Sequence, residues 1–230
     1  WFGAIYLVST HSKGISSVQL ATDLGVCQKT AWFMLQKIRT AFCQDTPILE
    51  SEVEVDETYV GGKETNKHEC KKVEGTQGRS TKTKTPVFGI AQREGNLFAL
   101  KVEDTKSATL MPIIKSHVKV GSTVYTDEAN IYCNLNENGY DRQIVNHKQK
   151  EFAVGRKSTN TIEGIWGQFK RMVYGTYHYV SRKYMQRYVD EAVFRYNSRG
   201  LKGGERFAAL MEHALNVVTF EDVKTVRRAA

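Results

Sequence analysis

No run of apolar residues in this chain of 230 approaches the roughly 18 that a membrane-spanning helix needs, so a helical membrane protein is excluded. The opening Trp1-Phe-Gly-Ala-Ile-Tyr-Leu-Val8 is too short for a span. It carries neither a basic leader nor a start methionine, and it reads as the interior of a longer chain. No C-x-x-C pair exists among Cys27, Cys43, Cys70 and Cys133, so no zinc ribbon is encoded within this stretch. The scattered thiols read as the reduced ones of an intracellular protein. What is present, 40% hydrophobic residues with a mean hydropathy of -0.45, describes a soluble globular chain. Its length suits one large domain, or a small one plus a large one.

Positive charge is clustered. The net charge is +8 and the isoelectric point is near 9.2. Residues 61–85 hold seven Lys or Arg against three Glu, residues 142–157 five against one, and residues 170–187 five with no acid. The rest of the chain is therefore net acidic. Clusters of this kind point to a polyanionic partner; a merely soluble basic surface is the plain alternative.

Residues 14–42 read as two helices about a sharp turn. Ser16-Ser-Val-Gln19 matches a capping box, Leu20, Ala21 and Leu24 face inward, and Gly25 stops the first helix. The second helix has Ala31, Trp32, Leu35, Ile38 and Phe42 as its stripe. This is the helix-turn-helix pattern, and Gln28, Lys29 and Thr30 open its second helix, where base edges or phosphates are met. A plain helical hairpin is the competing reading. Residues 1–46 form this region, and Pro47 marks the boundary.

A larger domain over 47–200 follows. In Glu52–Val60, Val53, Val55 and Tyr59 alternate with Glu54 and Asp56, the pattern of a strand. Residues 61–85 have no hydrophobic period and read as a mobile basic loop. Residues 86–93 and 97–103, separated by Glu94-Gly-Asn96, make a hairpin. A helix over 107–119, a strand over 122–128 ending in Asp127, a short helix at 131–135 and a fifth strand over 142–147 come next. Ser158–Arg171 is a helix with Ile162, Ile165, Trp166 and Phe169 on one stripe. Glu163 stands in its first turn, and Lys170 follows seven residues later on nearly the same side. A long helix over 182–199, with Tyr184, Tyr188, Ala192, Phe194 and Tyr196 as its stripe, closes the domain. Residues 201–230 read as a C-terminal tail, one weak helix (207–217) and a loose end.

Three strands, helix, strand, helix, strand, helix is the order of an RNase H-like domain. The expected fold is thus α/β: a mixed sheet of five strands flanked by helices, preceded by a small helix-turn-helix. Asp56, Asp127 and Glu163 fall where that architecture gathers carboxylates. Three such charges repel unless divalent cations share them, and an acid-only donor set favours Mg²⁺ or Mn²⁺, as a pair of ions, over zinc.

Val55-Asp-Glu-Thr-Tyr-Val-Gly-Gly-Lys63, Tyr125-Thr-Asp-Glu128, Val145-Asn-His147 and Asn160-Thr-Ile-Glu-Gly-Ile-Trp166, with Lys170-Arg171 after it, resemble the DDE-type transposases of bacterial insertion sequences. The likeness covers about residues 14–200 and is to the branch with an N-terminal zinc ribbon, a helix-turn-helix and an RNase H-like core. It implies metal-dependent cleavage at the element's inverted repeats and transfer of the freed 3′ hydroxyl into target DNA. It implies Asp56 and Asp127 as metal ligands, and Lys170 as a phosphate contact. For the third ligand it leaves Glu163, which fits the spacing and charge, beside Asn160 one turn earlier. Lys63, His147, Lys148 and Arg171 are expected on DNA, with His147 also read as structural. The implied partner is double-stranded DNA, the implied assembly a homo-oligomer on it, and the implied location the cytoplasm, at the nucleoid. An RNase H-type nuclease that cuts without joining, and a silent DNA-binding repressor, are the rival readings.

Overall fold

Residues 1–42, 47–62, 68–72, 80, 82–145 and 158–217 are described here from a computed structural model. Alternating β-formers and acids make β1 (Glu52–Val60) the middle strand of a five-stranded sheet. β2 (Thr85–Gln92) pairs with it antiparallel, and β3 (Leu97–Lys101) pairs antiparallel with β2. On the other side β4 (Thr123–Thr126) and β5 (Asp141–Ile144) follow in parallel. The order β3-β2-β1-β4-β5 is a mixed sheet flanked by helices, the RNase H-like arrangement expected from the order of elements.

The two faces of β1 have different partners. Val53 and Val55 pack with α4 (Ser107–His117) through Leu110 and Ile114. Val60 on the opposite face shares a core with Ile162, Ile165, Trp166 and Phe169 of α5 (Asn160–Arg171). α5 lies close to the sheet because of one residue. Gly89 of β2 stands opposite Asp56, and a Cβ there would come within 2.5 Å of the Trp166 ring. Beyond Arg171 the helix widens into a π-helical turn, Met172–Tyr177.

α6 (Met185–Asn197) buries Met185, Tyr188, Val189 and Val193. The expected stripe is thus corrected: Tyr184, Ala192, Phe194 and Tyr196 are only partly buried, since α6 is packed on two sides, by the sheet-side core and by the N-terminal helices. Those helices are α1 (Phe2–Thr10), α2 (Ser17–Leu24) and α3 (Gln28–Arg39). The Ser16 hydroxyl accepts the Gln19 N–H at 3.1 Å, and Gly25 ends α2 at φ +65°, in the left-handed region. Trp32 does not join the buried stripe of α3: it is 38% exposed and meets Tyr184 edge-on, because its side of the helix faces the approach to α6. α7 (Gly203–Val217) starts four residues before the expected helix and returns to α1, placing Leu210 and Ala214 in one core with Ala4, Leu20 and Leu35.

A buried charge network joins these N-terminal helices to the sheet domain. Arg39 Nε lies 2.8 Å from Glu191 Oε2, with the two side chains 2% and 1% exposed. Arg195 reaches the other oxygen at 2.6 Å, and the Tyr177 hydroxyl donates to it at 2.6 Å. The Arg39 guanidinium sits 4.0 Å from the Tyr188 ring and 4.7 Å from that of Tyr177. Burial alone would raise the Glu191 carboxyl, but the Arg39 and Arg195 charges outweigh it and hold the group at about 2. Arg39→Ala leaves Glu191 buried beside a lost partner. Equilibrium unfolding of that variant is expected to show a loss of about 3–5 kcal/mol. A loss below about 1 kcal/mol, the range of an exposed pair, would contradict the network's role.

Candidate active site

Asp56 projects from β1 on the α5 side. Glu54 of β1 pairs with Tyr125 of β4; Asp56 lies mid-strand two residues beyond Glu54, and Asp127 lies just past the end of β4, two residues beyond Tyr125. Glu163 enters from above in the first turn of α5.

The acids sense one another. Burial pushes the Asp56 carboxyl up to about 7, and the charges of Glu57, Asp127 and Glu163 push the same way. Asp127 and Glu163 are each braced by their own chain. Asp127 Oδ1 accepts the Ala129 N–H at 3.0 Å, and Glu163 Oε1 accepts the Thr159 hydroxyl at 3.1 Å. Arg142 fixes the turn after β4, donating to the Asp127 and Ala129 carbonyls at 3.1 and 3.0 Å and to the Thr126 hydroxyl at 3.0 Å. Among the described residues no three His, Cys, Asp or Glu side chains stand as a ready-made set of metal ligands. Like charges of this kind stay apart until a cation shares them. The donor chemistry at these positions, carboxylates without His or Cys, is that suited to a hard divalent ion such as Mg²⁺ or Mn²⁺.

Other expected site residues fall in three places. Asn160, Lys170 and Arg171 are exposed on α5. Lys170 and Arg171 line an open depression of about 650 Å³ with Lys13, Tyr174, Gly175 and Thr176. An adjoining cleft of about 510 Å³ carries Arg195, Arg199 and Arg206 on its wall. Gln28, Lys29 and Thr30 are exposed at the start of α3, on a different element from the acids. Lys63, His147 and Lys148 lie outside the described residues, as does most of the expected basic loop. Among the tyrosines that follow α5, Tyr179 is exposed, whereas the Tyr177 hydroxyl is engaged with Glu191 and that of Tyr174 with both the N–H and the carbonyl of Gly61.

Sequence reasoning passed over several neighbours of the acids. The buried Tyr132 donates its hydroxyl to Glu57, and burial together with the charges of Glu57, Asp56 and Asp127 keeps that hydroxyl protonated. Glu54 is wholly buried beside Arg93. The signal for Glu54 was present: an acid on the strand face that must meet the apolar side of α5 requires a partner.

Residues 48–197 match the family model of the ISXO2-like transposase domain. An uncharacterized protein in transposable element ISH50 of Halobacterium salinarum is 27% identical over 223 residues, covering 94% of this chain and 75% of that protein. An uncharacterized transposase-like protein of Haemophilus influenzae is 29% identical over 106 residues, covering 46% of this chain and 85% of the other. Among solved structures, the Mos1 strand transfer complex is similar over 87% of this chain and 71% of its own, at 10% identity and a TM-score of 0.37. That likeness is too loose to assign anything to these residues. With the family model matched over most of its length, this chain belongs to the ISXO2-like transposase domain family of insertion-sequence transposases.

Proposed function

We propose that this chain cuts DNA at the ends of its element and joins the freed 3′ hydroxyl to target DNA, with Asp56, Asp127 and Glu163 holding divalent cations. One observation supports this above the rest. In a chain of transposase family, the half-buried Asp56 carboxyl lies within reach of the charges of both Asp127 and Glu163. The chemistry that a pair of Mg²⁺ ions supplies to such a site is activation of the attacking oxygen and stabilisation of the leaving one.

Cleavage adds water to a phosphodiester and releases the element's 3′ hydroxyl. Transfer uses that hydroxyl as the nucleophile on a target phosphodiester, whose own 3′ oxygen leaves. One P–O bond forms for each one broken, so no redox partner enters. Lys170 and Arg171, two turns along α5 from Glu163, hold the phosphate backbone, with Lys13 beside them. The α2–turn–α3 unit serves as the helix-turn-helix, with Gln28, Lys29 and Thr30 at the DNA end of its second helix. Glu163 is taken as the third ligand on its spacing and charge, and Asn160, one turn earlier on α5, as the residue that orients it. Two element ends held together require more than one copy of the chain.

Two outcomes follow. In a cleavage and joining assay with Mg²⁺ and DNA ending in the element's own repeat, Asp56→Asn and Glu163→Gln each lower the rate by more than about 100-fold, while gel-shift affinity for the same DNA is kept. Full activity in either variant removes that residue from the ligand set. Cleavage without joining by the unaltered protein would indicate a nuclease, and binding alone a repressor.

The second concerns pH. Asp56 titrates near 7 in the folded chain against an ordinary 3.8, so the folded state holds this proton more tightly than the unfolded one. In divalent-free buffer its contribution to stability is complete below the ordinary value and is lost as pH rises through about 7. Mg²⁺ should therefore raise Tm more at pH 8 than at pH 5, and Asp56→Asn should abolish the difference. An equal Mg²⁺ effect at both pH values would contradict the site.

A further inference from the structure

The acids sit on three separate elements, and α5 must be held at one height and rotation for Glu163 to meet the other two. Glu54, two residues before Asp56, is 1% exposed at its side chain. Its Oε2 accepts the backbone N–H of Ile162 at 3.0 Å, and its Oε1 accepts Arg93 Nε at 2.9 Å. Arg93 also donates through Nη2 to the Ser158 carbonyl at 2.7 Å, just ahead of α5. Its guanidinium lies 3.8 Å from the Tyr125 ring, and the Tyr125 hydroxyl donates to Glu52 at 2.8 Å.

These bonds have a shared geography. Ile162 is the residue before Glu163, Tyr125 lies two before Asp127, and Glu54 lies two before Asp56. A single hydrogen-bonded unit therefore touches the chain within two residues of every acid. It also does what α5 does not do for itself. Thr159, the residue at the helix cap, makes no side-chain cap bond and gives its hydroxyl to Glu163 instead. The Ile162 N–H is one of the first-turn donors that a helix leaves unpaired, and Glu54 takes it from the neighbouring strand. A carboxylate there also suits the positive end of the helix dipole. For stability alone, an apolar pair of the same size would serve about as well as a buried ion pair.

We propose that Glu54 and Arg93 are positioning residues for the third acid, setting the first turn of α5 against β1 and β4 so that Glu163 reaches the ions held by Asp56 and Asp127. Neither touches DNA or reacting atoms. This inference rests on the metal-site reading above.

The test replaces the pair by an apolar one, Glu54→Met with Arg93→Met, and measures Mn²⁺ binding by electron paramagnetic resonance, alongside amide hydrogen exchange in the metal-free protein. Circular dichroism is expected to match the unaltered chain, with Tm lowered by the lost cap at Ile162 but the fold retained. Exchange at Ile162 and Glu163 should quicken while the later turns of α5 keep their protection, and Mn²⁺ affinity should fall by about 10–100-fold. If the double variant does not fold, Glu54→Gln, which keeps an acceptor for Ile162 but loses the charge, should show the same pattern at smaller size. A folded variant with Mn²⁺ affinity unchanged overturns the proposal, whatever its exchange. Absence of Mn²⁺ binding in the unaltered protein would instead overturn the metal-site reading, and the positioning role with it.

Discussion

Carboxylates forced toward one corner of a protein repel, and the surroundings of Asp56 oppose that repulsion with geometry. Asp56 lies on the middle strand, Asp127 follows the neighbouring strand β4, and α5 packs on β1 and β2 on the Asp56 side. That packing depends on Gly89, since a side chain there would collide with Trp166 and lift the helix that carries Glu163. Apolar contact on the α5 face and the Glu54–Arg93 bonds at its first turn act in the same direction. Burial raises the Asp56 carboxyl most, the charges of Glu57, Asp127 and Glu163 add to it, and a bound cation would oppose both effects.

The N-terminal helices are attached through charge as well as apolar packing. Arg39 of α3 meets Glu191 of α6, and Glu191 also takes the hydroxyl of Tyr177, in the π-helical turn that continues α5. A continuous set of packed groups thus runs from α3 to the helix that carries Glu163. α7 closes the same unit from the other end of the chain. On the function proposed above, DNA at the first residues of α3 and DNA at the acids would be registered against each other by this joint.

Much of this was legible in the sequence because it is local. The alternation in β1, the apolar stripe of α5, the Ser16 cap and the Gly25 stop each occupy a few adjacent residues, and each predicts a face or an end. The position of Asp127 just past the end of β4 was legible for the same reason. The pairings were not: Arg93 lies 39 residues from Glu54, and Glu191 lies 152 from Arg39. Nothing in the neighbourhood of one partner specifies the other. Trp32 and the stripe of α6 were misjudged because a helix packed on two sides has no single apolar face to read. α1 has apolar residues on most of its surface, so its period gave little direction.

The most direct measurement is anomalous diffraction from crystals of this protein soaked in Mn²⁺. The account predicts manganese peaks within coordination distance of Asp56, Asp127 and Glu163, with Asp56 shared. No peak among these three side chains, or ions bound to other residues alone, would contradict it.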